Sequence, residues 1–317
     1  MKMNSTVILF ASPILFASLA FAEPPATCPA GTPNPLNNTN WAFHWESSDY
    51  HPAGTAAIGT FSIATDPFTR GGPALVLKGT TTINAFGRIS RLASTEGKVQ
   101  YQCGANGLLR GGTLQFSDGN QGTLWQFTFS STAWNEMYMV NEFYIDNAGL
   151  SRVLQGYAVR IDGQQACNAN PMLVLDNATS SPNGWSFHTE SAMYAVVNGT
   201  ASSGYLDLAF NPAGRAGVGA LTGNLTTSAG SLGASNAVYR LMDTSGRYQV
   251  YGPSGGIGCA GATLSVQVGP YAVQYEGVFA DGSHSSLFLL STNATGQGFG
   301  DRFSYRFDIL KGFMKKF

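Results

Sequence analysis

The stretch Trp41-Ala42-Phe43-His44-Trp45-Glu46-Ser47 returns as Trp185-Ser186-Phe187-His188-Thr189-Glu190-Ser191, so the fold must be one that the chain can build twice. Trp41 and Trp185 lie 144 residues apart, Phe61 and Leu206 lie 145 apart, and Thr113 and Thr263 lie 150 apart. The matched stretches keep their register while length changes fall between them, which is the behaviour of strands joined by loops, because a one-residue slip reverses every side chain of a strand. The period is far longer than that of a solenoid repeat, so each copy is expected to be a closed unit with its own core. The expected modules are residues 23–163 and 164–317.

Ahead of the first copy, Lys2 precedes an apolar run from Val7 to Phe21 that ends in Ala20-Phe21-Ala22. Residues 1–22 therefore read as a signal peptide: the run is short for a membrane anchor, Ser12 and Pro13 interrupt it, and small residues precede the expected cut. This implies export to the periplasm, the cell surface or the medium. Only 11% of residues are charged, the net charge is −1 and no basic stripe is present, which excludes the electrostatic footprint of a nucleic-acid binder.

Period-two alternation dominates. Trp41, Phe43 and Trp45 share one face of a strand while His44 and Glu46 share the other, and Phe61 with Ile63 alternate in the same way. Further strands are expected at 74–82, 88–94, 98–102, 112–117, 123–130, 137–143 and 153–161. The second copy repeats them at 221–227, 237–242, 247–251, 262–268, 272–279, 286–291 and 302–309. Turn residues separate them, and Gly, at 39 of 317, is spread along the chain. The fold class is all-β, with two tandem antiparallel meander β-barrels of about eight strands each.

The cysteines duplicate too. Cys28 and Cys167 lie in lead-in segments, while Cys103 and Cys259 precede the matched strands that open at Gly112 and Gly261. In an exported chain this pattern predicts the disulfides Cys28–Cys103 and Cys167–Cys259, each stapling a lead-in onto its own module.

The segments Leu36 through Phe43, Gly59-Thr60-Phe61, Gly112-Thr113-Leu114-Gln115-Phe116, Trp125-Gln126-Phe127-Thr128-Phe129 and Gly156-Tyr157-Ala158-Val159 resemble the tandem lipocalin-like (calycin-like) barrel modules of uncharacterised exported bacterial proteins. The resemblance covers nearly all of the mature chain. It departs at Gly277, which stands where Phe127 leads one to expect an aromatic. It implies a fold and an export route, and carries no catalytic residue with it.

Several candidate sites follow. The inward aromatics Trp41, Phe43, Trp45, Trp125, Phe127 and Phe129, with Trp185, Phe187, Tyr275 and Phe279 in the second copy, either fill the barrels or line a pocket for a small apolar ligand. His44 with Glu46 and His188 with Glu190 form the ionisable pair common to both copies. Residues i and i+2 share a face, so each pair is either a solvent-facing polar pair or an acid and base for a hydrolase or isomerase, the latter requiring that it face a pocket. Asp49 and His51 extend the first pair towards a metal-binding pattern that the second copy lacks. Gly252-Pro253-Ser254-Gly255-Gly256 matches a nucleophile elbow and the segment from Gly256 to Gly261 a dinucleotide fingerprint, but neither has the helix that its chemistry needs.

The sequence thus reads as an exported, non-catalytic binding or surface-interaction protein without cofactor or metal, whose partner is a small apolar ligand or a cell-surface component. An outer-membrane barrel built from both halves is the remaining alternative, suggested by the low charge content and the terminal Phe317. Lys315 and Lys316 interrupt its alternation, and strands read as shorter than the 9 to 11 residues that cross a bilayer also oppose it.

Overall fold

The computed structural model describes residue 28 and residues 36–47, 55–66, 74–85, 88–104, 107–117, 122–143, 153–162, 184–191, 200–210, 218–231, 234–251, 261–268, 271–283, 285–292 and 309–316. The first copy contributes β1 (Thr39–Ser47), β2 (Thr55–Asp66), β3 (Ala74–Ala85), β4 (Arg88–Cys103), β5 (Leu109–Ser117), β6 (Gly122–Phe129), β7 (Glu136–Phe143) and β8 (Leu154–Arg160). The second contributes β9 (Gly184–Ser191), β10 (Thr200–Phe210), β11 (Val218–Ser231), β12 (Ala234–Tyr251), β13 (Gly261–Val268), β14 (Tyr271–Phe279), β15 (Ser286–Ser291) and β16 (Leu310–Lys316). Each set is an antiparallel meander whose first and last strands pair, closing a barrel of eight strands.

The alternation dictates what lies inside. Trp41, Phe43 and Trp45 point into the first barrel, where rings meet rings: Trp41 stacks on Phe61 at 6.3 Å, Trp45 meets Trp125 at 6.0 Å and Phe127 sits edge-on to Phe129 at 5.4 Å. In the second barrel Trp185, Phe187, Tyr275 and Phe279 take the corresponding places, with Phe187 edge-on to Tyr275 at 5.7 Å. Glycines let these rings lie flat on the opposite strand. A β-carbon on Gly59 would come within 2.7 Å of the Phe43 ring, and one on Gly219 within 2.3 Å of the Tyr248 ring, each across its own register pair.

Two pairs of expected strands merge. Residues 88–94 and 98–102 belong to one strand of 16 residues, and 237–242 and 247–251 to one of 18. The apparent turns at Thr95-Glu96-Gly97 and Asp243-Thr244-Ser245-Gly246 are paired backbone, because Gly and polar residues are tolerated where a strand faces water on one side. The last strand also falls later than expected, at Leu310–Lys316, while 302–308 lie outside the described residues. Several strands thus exceed the short lengths read from sequence, so strand length does not weigh against a bilayer; but each half closes on itself, and no single barrel is shared between them.

The disulfide Cys28–Cys103 is present, with Cα atoms 4.9 Å apart, tying the lead-in to the end of β4. Cys167 and Cys259 lie outside the described residues, as do residues 1–22 and the expected module boundary at 163/164.

Register identifies equivalent positions in the two barrels, and the second has the poorer core. Phe127 pairs with Met139 and Gly277 with Leu289, so Gly277 replaces a buried ring and the Cδ2 atoms of Leu287 and Leu289 close over it. Thr189 replaces Trp45. Trp41 Nε1 donates to Thr39 Oγ1 at 2.8 Å, whereas the buried Trp185 Nε1 and Thr189 Oγ1 have no hydrogen-bond partner among the described residues. An unpaired buried polar group costs about 1 to 3 kcal/mol. Amides of β9, β10, β13 and β14 should therefore exchange with deuterium faster than those of β1, β2, β5 and β6. Thr189→Val, which keeps the shape and removes the hydroxyl, should stabilise the second barrel by about 1 kcal/mol in denaturant melts.

Candidate functional site

His44 and Glu46 project from the outer surface of the first barrel, as alternation requires, but they do not face bulk water. The outer faces of β1 and β2 pack against those of β14 and β15, joining the two barrels along a seam. Ala42, Ala56 and Ile58 of the first barrel and Ile161 beyond its last strand form a buried cluster with Val278, Phe288, Leu290 and Ile309 of the second half. Two apolar clusters are therefore interior and made by one copy each, and a third is made jointly.

Polar contacts fix the alignment. Glu276 accepts hydrogen bonds from Thr82 Oγ1 at 3.0 Å and Arg91 Nε at 3.1 Å, and Asn84 Nδ2 donates to the Ser291 carbonyl at 2.8 Å. Lys311 of β16 lies between the two repeated glutamates: its Nζ is 2.5 Å from Glu46 Oε1 and 3.1 Å from Glu190 Oε1. In the first barrel the position equivalent to Lys311 is Gln155, whose Nε2 donates to the same Glu46 oxygen at 3.2 Å.

Beside these contacts the two barrel surfaces line a partly open cavity of about 320 Å³. Its walls are His44, Ile58 and Tyr157 from the first barrel and His188, Glu190, Phe288, Lys311 and Phe313 from the second. His44 lies 4.8 Å from the Phe288 ring and 6.0 Å from Tyr157, while His188 lies 5.6 Å from Phe313. Both repeated histidines thus line one cavity, one from each barrel.

Burial, helped by the neighbouring Lys311 ammonium, lowers the His44 pKa to about 4. The ring is neutral at ordinary pH and offers one N–H donor and one acceptor. Burial alone would depress Lys311, but the hydrogen bonds and charges of Glu46 and then Glu190 outweigh it and hold the ammonium above its usual range. Burial, together with the charge and hydrogen bond of Glu136, pushes the Tyr157 phenol up, so it stays protonated. The site is therefore a mainly apolar, aromatic-walled chamber with a few fixed polar atoms, the usual make-up of a small-molecule pocket and at the small end of the size range.

Of the residues picked from sequence, Trp41, Phe43, Trp45, Trp125 and Phe127 are brought together inside the first barrel and Trp185, Phe187 and Tyr275 inside the second. Trp45 also backs the seam cavity, through the strand whose outer face carries His44. Asp49 and His51, and the Gly-rich segment 252–260, lie outside the described residues; among the described residues no three His, Cys, Asp or Glu side chains gather as metal ligands. Sequence reasoning missed Tyr157, Phe288, Lys311 and Phe313. A signal existed for Phe288: the run Leu287-Phe288-Leu289-Leu290 is apolar without alternation, the mark of a strand covered on both faces.

The His44 value carries a pH dependence. Its pKa is 6.5 when solvated and about 4 in the seam, so the opened form takes up the proton first as pH falls. This contribution to docking is complete above about 6.5, declines between about 6.5 and 4, and changes no further below that. The His44 imidazole resonance should titrate near pH 4 by NMR, and His44→Gln should flatten the fall in melting temperature over this window. Removing one partner of a largely buried ion pair strands the other, so Lys311→Met should destabilise the chain by about 1 to 3 kcal/mol, with most of the loss absent in a Glu46→Gln background.

Compared with known proteins, the chain matches no family model and no curated protein.

Proposed function

We propose that this chain is an exported, non-catalytic binding protein that holds a small, largely apolar ligand in the chamber between its two barrels. The observation that carries the reading is the convergence of five rings, His44, Tyr157, Phe288, Phe313 and His188, on one cavity beside the Glu190–Lys311 pair. Rings supply apolar contact at little entropic cost, and a few fixed donors and acceptors set the orientation. The two eight-stranded meanders support the likeness to tandem lipocalin-like modules. Export rests on the sequence of residues 1–22 and on the Cys28–Cys103 disulfide, a bond of oxidising compartments.

The hydrolase or isomerase alternative has its histidines facing a pocket, yet the site is poorly equipped for it. Glu46 and Glu190 are both tied to Lys311 as partners of its cation, and among the described residues no Ser, Thr or Cys lines the cavity beside either histidine.

A neutral fluorescent probe such as N-phenyl-1-naphthylamine should bind saturably to the folded chain. Phe313 lines the chamber and is 49% exposed, so Phe313→Asp should weaken binding about tenfold without lowering the melting temperature. Saturable binding that this variant leaves untouched would place the ligand elsewhere; no saturable binding of the probe or of a panel of small aromatics would remove the reading.

A further inference from the structure

The seam joins unlike faces of two like barrels. The first barrel uses β1 to β4 together with Tyr157 and Val159 of β8, and the second uses β14 to β16, whose counterparts in the first barrel are β6 to β8. Such a heterologous contact leaves each barrel with a copy of the face that its sibling employs, of which the near edge, Tyr157 of β8 in one and His188 and Glu190 of β9 in the other, already borders the seam cavity. We propose that the outer face of β6 and β7 is an interaction surface for a second copy of this chain, received by the outer face of that copy's β10 and β11.

Register makes the correspondence residue by residue. Thr128 pairs with Tyr138 and Gln126 with Val140 in the first barrel, as Val278 pairs with Phe288 and Glu276 with Leu290 in the second. Tyr138 is thus the counterpart of Phe288, and Val140 that of Leu290. Phe288 and Leu290 are 9% and 0% exposed in the seam, whereas Tyr138 and Val140 are 57% and 48% exposed. Adjacent large apolar groups left open on one strand are the mark of an interaction surface rather than of scattered exposure. The Tyr138 ring is already ordered by Tyr157, 5.4 Å away, which is itself the counterpart of Phe313.

The receiving face is duplicated as well. His44 pairs with Ile58 and Glu46 with Ala56 in the first barrel, as His188 pairs with Ser203 and Glu190 with Ala201 in the second. His188 and Glu190 repeat the histidine and glutamate that meet Phe288 and Lys311 in the seam. Ala201, Ser203 and Tyr205 stand exposed on β10, a strip of small residues beside one tyrosine.

The two faces have changed in step. Phe288 becomes Tyr138 on one side, and Ala42 and Ile58 become Ser186 and Ser203 on the other, so a hydroxyl is gained where a hydroxyl can answer it. Lys311 and Glu276 become Gln155 and Gln126, which removes the buried charges. The result is a more polar version of the seam that still carries the carboxylates Glu136 and Glu190, suited to reversible rather than permanent association. Nor do the faces obstruct each other: β7 lies three strands round its barrel from β2, and β10 lies three strands round its own from β15. Contacts of this kind join chains head to tail.

Sedimentation over a wide concentration range tests this. The intact chain should associate reversibly, and both Tyr138→Ser with Val140→Ser, which blocks the donor face, and Ser203→Arg, which blocks the receiving face, should weaken association about tenfold or more. All three positions are exposed, so circular dichroism and melting should be unchanged. The deciding experiment mixes the two blocked forms: each retains the face that the other lacks, so together they should form a dimer and nothing larger. A chain that stays monomeric at every concentration overturns the proposal, as does association that survives both blocks. A mixture that fails to pair, the sign of a symmetric contact between two β7 faces, overturns it too.

Discussion

Closure of each sheet on itself is the constraint from which the other features follow. Because β1 bonds to both β2 and β8, and β9 to both β10 and β16, every strand is held edge to edge and has one face in and one face out. The inward set must then be apolar and large enough to meet across the barrel, which the rings around Trp41 and Trp125 are. Apolar groups on the outward set are stabilised by being covered from outside. Ala42, Ile58, Phe288 and Leu290 are such groups, and the sibling barrel is their cover.

The interior was legible because alternation is a local property. Trp41, Phe43 and Trp45 declare their face within five residues, and the substitutions Gly277 for Phe127 and Thr189 for Trp45 could be placed inside from the duplication alone. Strand ends were less legible: Gly97 and Gly246 resemble turns in sequence and are paired strand in the fold, since pairing depends on a neighbour far along the chain. The site was hardest to see. His44 and Phe288 are 244 residues apart, and no periodicity within either copy links them. The histidine alone reads as a polar residue on a wet face, and only the unbroken apolar run in β15 hints that this outer face is dry.

A single lysine makes the difference between the copies. The strand that closes the first barrel offers Gln155 to Glu46, whereas the strand that closes the second offers Lys311 to both Glu46 and Glu190. One cation thus answers two carboxylates from different copies, and its field also helps to keep His44 neutral. The histidines are identical in sequence and unequal in surroundings: His44 is held between Phe288 and Tyr157, while the ring of His188 meets Phe313 of its own barrel. The chamber is therefore asymmetric although the chain that makes it is a repeat.

The place of Lys311 and Phe313 on β16 links assembly of the chamber to the kinetics of folding. β16 pairs with β9, more than a hundred residues earlier, so closing the second barrel requires a long loop to be brought together, a slow kind of contact. Until that pairing occurs, β9 and β15 are open edges, able to recruit foreign strands. The same strand brings the cation and the ring that finish the chamber, so the ionic link cannot form ahead of closure. Before β16 pairs with β9 the first barrel is already closed, while the second has neither a protected edge nor its side of the chamber complete.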